Sequence, residues 1–200
     1  VDLTNDQRDG LNIALNEAAW LGIDVDAGAA RATMLVEVLT LPPVGPAPDD
    51  TTRLLHLSGV SRVAASLRNG LWNDAEASVE KLSLIDLDEA VRRFGGCPIY
   101  GWEFIDSPSQ RWAAWRHRLS LDGHLSTEPA PHVLELFQEG CSDSPRHLDL
   151  RVWFSTLLVT HRTGEEISLQ EFIDGGTRWW DGLHAGDPRT GGKGIAPLFG

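Results

Sequence analysis

Lysine is nearly missing from this chain. Of 17 basic residues 15 are arginine, and only Lys81 and Lys193 are lysine. Arginine codons are mostly G/C-rich and lysine codons A/T-rich, so the bias reads as genomic composition before it reads as selection for guanidinium forks. Basic residues of either kind are also outnumbered. The 29 acids bring the formal net charge to −12. A field of that sign repels phosphate backbones and anionic lipid heads, so neither a nucleic-acid partner nor a membrane surface is expected. The one basic pair beside an aromatic ring, Arg92-Arg93 next to Phe94, does not offset it.

Long apolar runs are missing too. None approaches the ~20 residues that a spanning helix needs. Cysteine occurs twice, at Cys97 and Cys141, with no CxxC spacing. That rules out a disulfide framework; the pair can form one disulfide, which the sequence does not decide, and free thiols in a reducing cytoplasm are the expectation. The first ten residues, VDLTNDQRDG, are acidic and polar and do not read as a secretory signal. The expected compartment is the cytoplasm.

Catalytic signatures are absent as well. The nearest approach to a GxSxG elbow, Gly59-Val-Ser-Arg-Val63, fails at its last position. Gly186 and Gly191 have P-loop spacing, but Gly192 stands where lysine is needed and no serine or threonine follows it. The seven histidines form no HExxH and no His–Cys knuckle, so no metal centre and no cofactor is expected.

What is present is a β-rich pattern with turn chemistry between its runs. Leu21, Ile23 and Val25 alternate, as do Met34, Val36 and Val38, and Ala27-Gly28-Ala29 lies between them as a hairpin turn. Leu11, Ile13 and Leu15 alternate as well and contest the short helix that a Thr4–Gln7 capping box would open. Pro42-Pro43 and the Gly-Pro-Ala-Pro stretch after it end the second strand. Thr51–Arg68 reads as one long β stretch with a bulge at Gly59, closed by an Asn69-Gly70 turn.

Further strands are expected over Pro98–Asp106, Trp112–Asp122, His132–Glu139 and His147–Ser155, with Asp122-Gly123 turning the chain. Leu157–Arg162 continues the last of these past a bend. Asp86–Glu89 and Ser168–Glu171 have capping-box spacing and open two helices. The first stops at Gly95-Gly96. The second carries an apolar stripe of Leu169, Phe172, Ile173, Trp180 and Leu183, with Gly175-Gly176 permitting close approach to the sheet.

Strands meet strands through short turns, without βαβ alternation. The expected fold is therefore α+β: mainly antiparallel β-sheet in a curved sheet, half-barrel or sandwich, with a few peripheral helices and the C-terminal helix packed on the sheet. Residues 1–185 form the single domain, and 186–200 form an irregular tail.

Two groups of residues stand out as candidate binding residues. Tyr100, Trp102 and Phe104 share one strand face in a chain with eight tryptophans. Such rings suit a core, an interface or a ligand platform. His147, Asp149 and Arg151 line one face of another strand, where a metal or a phosphate-type anion would need help from a neighbour. The bland reading of that row is a solvated polar face.

The acids are concentrated early. Residues 1–50 hold nine against two arginines. Solubility alone accounts for such charge, but it also favours a basic protein partner. The pattern points away from an enzyme without deciding the matter. It favours a non-catalytic cytoplasmic binding or interaction protein, of the inhibitor or immunity kind, that masks a basic surface. Two alternatives stand beside it. One is a small-molecule-binding barrel or half-barrel with an aromatic-lined pocket. The other is a metal-dependent hydrolase built on the His147 row.

Overall fold

The Thr4–Gln7 spacing does what its chemistry allows. Thr4 Oγ1 accepts from the Gln7 amide, and Gln7 Oε1 accepts from the Thr4 amide. With both early donors satisfied, helix α1 runs over Asn5–Leu15 and buries Leu11, Ala14 and Leu15. The alternation of Leu11, Ile13 and Leu15 therefore does not mark a strand; Ile13 is the exposed member.

The computed structural model describes residues 3–71, 74–105, 116–140 and 145–191. Beyond α1 its strands are β1 (Ala19–Asp26), β2 (Arg31–Glu37), β3 (Thr52–Ser58), β4 (Arg62–Asn69), β5 (Ser78–Glu80), β6 (Ile99–Ile105), β7 (Leu121–His124), β8 (His132–Glu139), β9 (Arg146–Phe154), β10 (Thr156–His161) and β11 (Glu166–Ile167). Helix α2 is Leu87–Arg92 and helix α3 is Leu169–Ala185.

The strands form two antiparallel sheets. One has the order β1-β2-β3-β10-β11; the other has the order β5-β4-β9-β8-β6, with β7 also paired to β4. Neither closes into a barrel. Their inner faces share one core, which includes Trp20, Met34, Leu55, Leu57, Leu134, Leu150 and Phe154. The α+β expectation holds, and so does the helix packed on the sheet.

The sheets are joined by two bent strands. β3 passes into β4 at Gly59, where φ is +63°. β9 passes into β10 at Ser155. The bends face each other: the Ser155 amide donates to the Ser58 carbonyl at 2.9 Å, and the Ser61 amide donates to the Trp153 carbonyl at 3.0 Å. A Cβ on Gly59 would meet the Ser155 side chain, so the corner needs a glycine for space as well as for conformation. Gly59 is thus a change of sheet rather than a bulge within one strand.

Helix α3 starts as expected, with Ser168 Oγ accepting from the Glu171 amide at 3.1 Å. It stops at Gly186, which is left-handed at φ +73°. Its stripe sends Phe172 and Ile173 into the main core. Further along, Trp179 and Leu183 join Leu39 and Leu41 in a second cluster, with Trp180 only half-buried at its edge. The two glycines serve other neighbours than the sheet. A Cβ on Gly176 would run into Ala14 of α1, and one on Gly175 into Thr40.

Several expectations need correcting. Asp86 caps nothing in α2; its carboxylate accepts instead from Ser83 Oγ and the Ser83 amide. In the expected strand Trp112–Asp122, residues 112–115 lie outside the described residues and Arg116–Arg118 is a turn of 3-10 helix. Only Leu121–His124 pairs, so Asp122-Gly123 sits within β7 rather than at a turn. The tail is partly regular: Asp187 caps a 3-10 turn over Pro188–Thr190, and Thr190 is buried. Finally, Cys97 is disulfide-bonded rather than a free thiol. Cys141, the chain's other cysteine, lies outside the described residues.

Candidate functional site

The period-2 alternation of β9 sends Leu148, Leu150, Val152 and Phe154 into the core and His147, Asp149, Arg151 and Trp153 to the other face. The three candidate residues therefore do share a line. They are not solvated: His147 and Arg151 are fully buried. Register explains who meets them. Arg151 stands opposite Glu135 on β8 and Ala64 on β4, Asp149 opposite Ser66, and His147 opposite Arg68.

Arg151 Nη2 pairs with Glu135 Oε2, and Arg68 Nη2 pairs with Asp149 Oδ2. Burial pulls both guanidinium pKa values down, and the carboxylates oppose that pull. A guanidinium and a carboxylate removed from water together need such pairing to be tolerated.

His147 completes the row. Its Nδ1 lies 3.1 Å from the Gly70 carbonyl, which can only accept, so Nδ1 carries the hydrogen. Nε2 is buried without a hydrogen-bond partner among the described residues. Burial, followed by the nearby Arg68 charge, pushes its pKa down to about 4. At neutral pH the ring is uncharged.

The Arg116–Arg118 turn meets this face. Ser66 Oγ donates to the Arg118 carbonyl at 2.7 Å, and the Arg118 guanidinium reaches the carbonyls of Asp74 and Ala77. The row is thus a buried polar layer, with its charges committed to one another. Among the described residues no group of three or more His, Cys, Asp or Glu is placed to hold a metal ion.

Two of the aromatic candidates, Trp102 and Phe104, are also packed. Trp102 and Phe104 are 4% and 6% exposed and belong to the common core. Phe104 meets Phe154 edge-on, with centroids 6.3 Å apart. A bulge separates Tyr100 from Trp102, so Tyr100 stands opposite Phe137 and Trp102 opposite Leu136. The bulge therefore takes the two out of one register line, while Trp102 and Phe104 belong to the common core rather than to the His147 row.

The outer face of the other sheet is different. Thr33, Leu35, Leu54 and His56 are half-buried there, and Leu158 is 40% exposed. His56 bridges two threonines: its Nδ1 lies 3.2 Å from Thr33 Oγ1 and its Nε2 3.1 Å from Thr160 Oγ1. A depression of about 340 Å³ opens beside them, lined by Gly22, Asp24, Thr33, Leu35, Leu54 and Arg92. The face is bordered by Asp24, Asp26, Glu37 and Glu166 against Arg31, while Asp88 and Arg92 pair with each other at 2.7 Å.

Two smaller cavities lie elsewhere among the described residues. One of about 240 Å³ lies beside Arg62 and Trp153, whose cation–π contact is 4.8 Å. Another of about 220 Å³ lies between the start of β3, the proline loop and the first turn of α3. Trp102 and Phe104 line none of these three.

Sequence reasoning missed this open leucine–threonine face, although its signal was available. Thr33 and Leu35 in β2, and Leu54 and His56 in β3, hold the parity opposite to the core residues. Comparison with protein-family models, with curated proteins and with solved structures finds no match to this chain.

Proposed function

We propose that this is a non-catalytic interaction protein that docks a basic partner on the outer face of the five-stranded sheet. The open face carries the reading: leucines half-exposed around a depression, with Asp24, Asp26, Glu37 and Glu166 set against Arg31 at its border and Asp88 paired with Arg92. Apolar anchors surrounded by charge suit a protein interface, where the apolar area supplies affinity and the charged rim supplies steering. The net charge of −12 works in the same direction over longer range. The His147 row, the strongest candidate for chemistry in the sequence, is occupied by internal pairs, which supports a scaffold role for it.

The compartment is part of the proposal. Sequence composition favours the cytoplasm, whereas a disulfide at Cys97 favours an oxidising compartment. Because disulfides persist where thiols are not continuously reduced, the oxidising reading is the better supported.

The test compares the wild-type chain with Leu54→Asp/Leu158→Asp as baits in native lysate at low and high salt. A basic protein retained by the wild type at low salt, released at high salt and lost from the double variant supports the reading. Equal retention by both baits, or none by either, overturns it.

A further inference from the structure

β3 alternates strictly, with Leu55 and Leu57 pointing into the core. The residue before them in that series is Arg53. It is 6% exposed, and its neighbours across the sheet are Val36 and His161. A core-facing arginine is rare unless a carboxylate accompanies it. Arg68 and Arg151 obey that rule. Arg53 does not.

Its Nη1 donates to the carbonyls of Thr52 at 2.7 Å and Asp50 at 3.1 Å. Among the described residues it has no ion pair. Asp50 acts on it only through space, since the Asp50 carboxylate is turned to the amide and hydroxyl of Thr52. Burial lowers the guanidinium pKa, so the charge is held at a cost.

The guanidinium borders the cavity of about 220 Å³. Leu41, Pro42, Ile167 and Phe172 form apolar walls, and Thr40 and His161 add polar ones. Glu171 stands at the rim, but its carboxylate is already held by Arg178 at 2.6 Å, and Arg178 also pins the wall through the Leu41 carbonyl at 2.8 Å. The cavity thus borders a buried guanidinium that has no ion pair among the described residues, in a mostly apolar chamber.

We propose that this cavity binds a small organic acid, its carboxylate on the Arg53 fork and its apolar body against Leu41, Ile167 and Phe172. A planar guanidinium matches a carboxylate in two-point geometry. A phosphate would call for more donors than a single fork and would leave the apolar walls unused. The volume lies below that of drug-sized sites, which sets the ligand at a few carbons. This site is separate from the open sheet face, so either assignment can fail alone.

The test uses the full chain, isotope-labelled, with backbone amide signals followed during titration. Isobutyrate, isovalerate, hexanoate and benzoate are the probes, each beside its neutral amide, with inorganic phosphate as a further arm. At least one acid is expected to shift the His161 and Phe172 signals saturably, with Kd at or below about 1 mM. Its amide is expected not to bind. Arg53→Met should weaken the acid at least tenfold, and Arg53→Lys should fall between. Arg53→Met without ligand should melt no lower than the wild type, since the removed charge is buried without an ion pair among the described residues. Four results overturn the proposal: no acid binds, acid and amide bind alike, Arg53→Met retains the affinity, or phosphate alone binds. A melting temperature well below wild type in Arg53→Met, with no acid bound by the wild type, would assign Arg53 a purely structural role.

Discussion

The two outer sheet faces began as the same pattern and ended differently. On each sheet, period-2 strands send apolar residues inward and polar residues outward. On the six-stranded sheet the outward residues are then buried again, and Arg151, Glu135, Arg68, Asp149 and His147 become an interior layer. On the five-stranded sheet the outward residues stay near water, and leucines stand among threonines. Polarity along a strand therefore marks which side faces away from the first core. It does not mark which side is wet. A charged row with strand neighbours of opposite sign is the pattern of a second buried layer; mixed leucine and threonine without such partners is that of an open face.

The contrast can be broken most sharply at Arg151. Arg151→Ala leaves the Glu135 carboxylate buried without its counter-charge and should cost about 3–5 kcal/mol in denaturant unfolding. A loss under about 1 kcal/mol would mean that the layer is wet.

His147 gives the next largest effect, read through pH. Its folded pKa is about 4, against 6.5 for the free side chain, so between those values the unfolded chain binds a proton that the folded chain refuses. Stability is full above pH 6.5 and falls as pH drops toward 4, by about 3 kcal/mol from this residue. Arg68 on β4, Arg118 and Asp74 act on the same ring, and the first two oppose its protonation. His147→Gln should flatten that window relative to the wild type, as seen in unfolding curves at pH 7, 5.5 and 4.5. Parallel curves for the two proteins would show that the ring is accessible.

On the open face the expected effects are smaller. His56→Ala removes the bridge between Thr33 and Thr160 and should cost about 1 kcal/mol, the net worth of ordinary hydrogen bonds. Leu158→Ser should change stability by no more than about 0.5 kcal/mol, as for surface positions generally. A loss of about 2 kcal/mol or more at Leu158 would show that something covers this face, since that is the scale of a buried leucine.

Most of the element order was legible because local chemistry and tertiary packing agree. Ser168 before the Leu169–Leu183 stripe, Gly95-Gly96 after α2 and Asn69-Gly70 after β4 each carry their own geometric reason. Residues 11–15 were ambiguous because Leu11, Ile13 and Leu15 satisfy both periods, and only the packing of Leu11 and Ala14 against the core decides for helix. The change of sheet at Gly59 was not legible, since one parity runs through Leu55, Leu57 and Val63 whether the strand bulges or bends. The row His147, Asp149 and Arg151 was found, but its burial depends on Glu135 and Arg68, placed by register rather than by spacing. Arg53 was overlooked although it holds the parity of Leu55 and Leu57; an arginine in an apolar series is the signal to look for.

The paired bends at Gly59 and Ser155 also bear on how the chain is made. β4 lies between β9 on one edge and the short strands β5 and β7 on the other, and β3 lies against β10. Both partners on the β9–β10 side emerge some 90 residues later in the chain. At ribosomal speeds of about 5–20 residues per second, the nascent β3–β4 strand waits on the order of 5–20 s for them. During that wait the apolar side of Leu55, Leu57, Val63 and Leu67 has only early elements to lean on, and one strand edge stands open. Closing so long a loop is also a slow route to the native state. Synthesis of this chain therefore passes through a stage in which the segment that will tie the two sheets together is the one most exposed to wrong pairing.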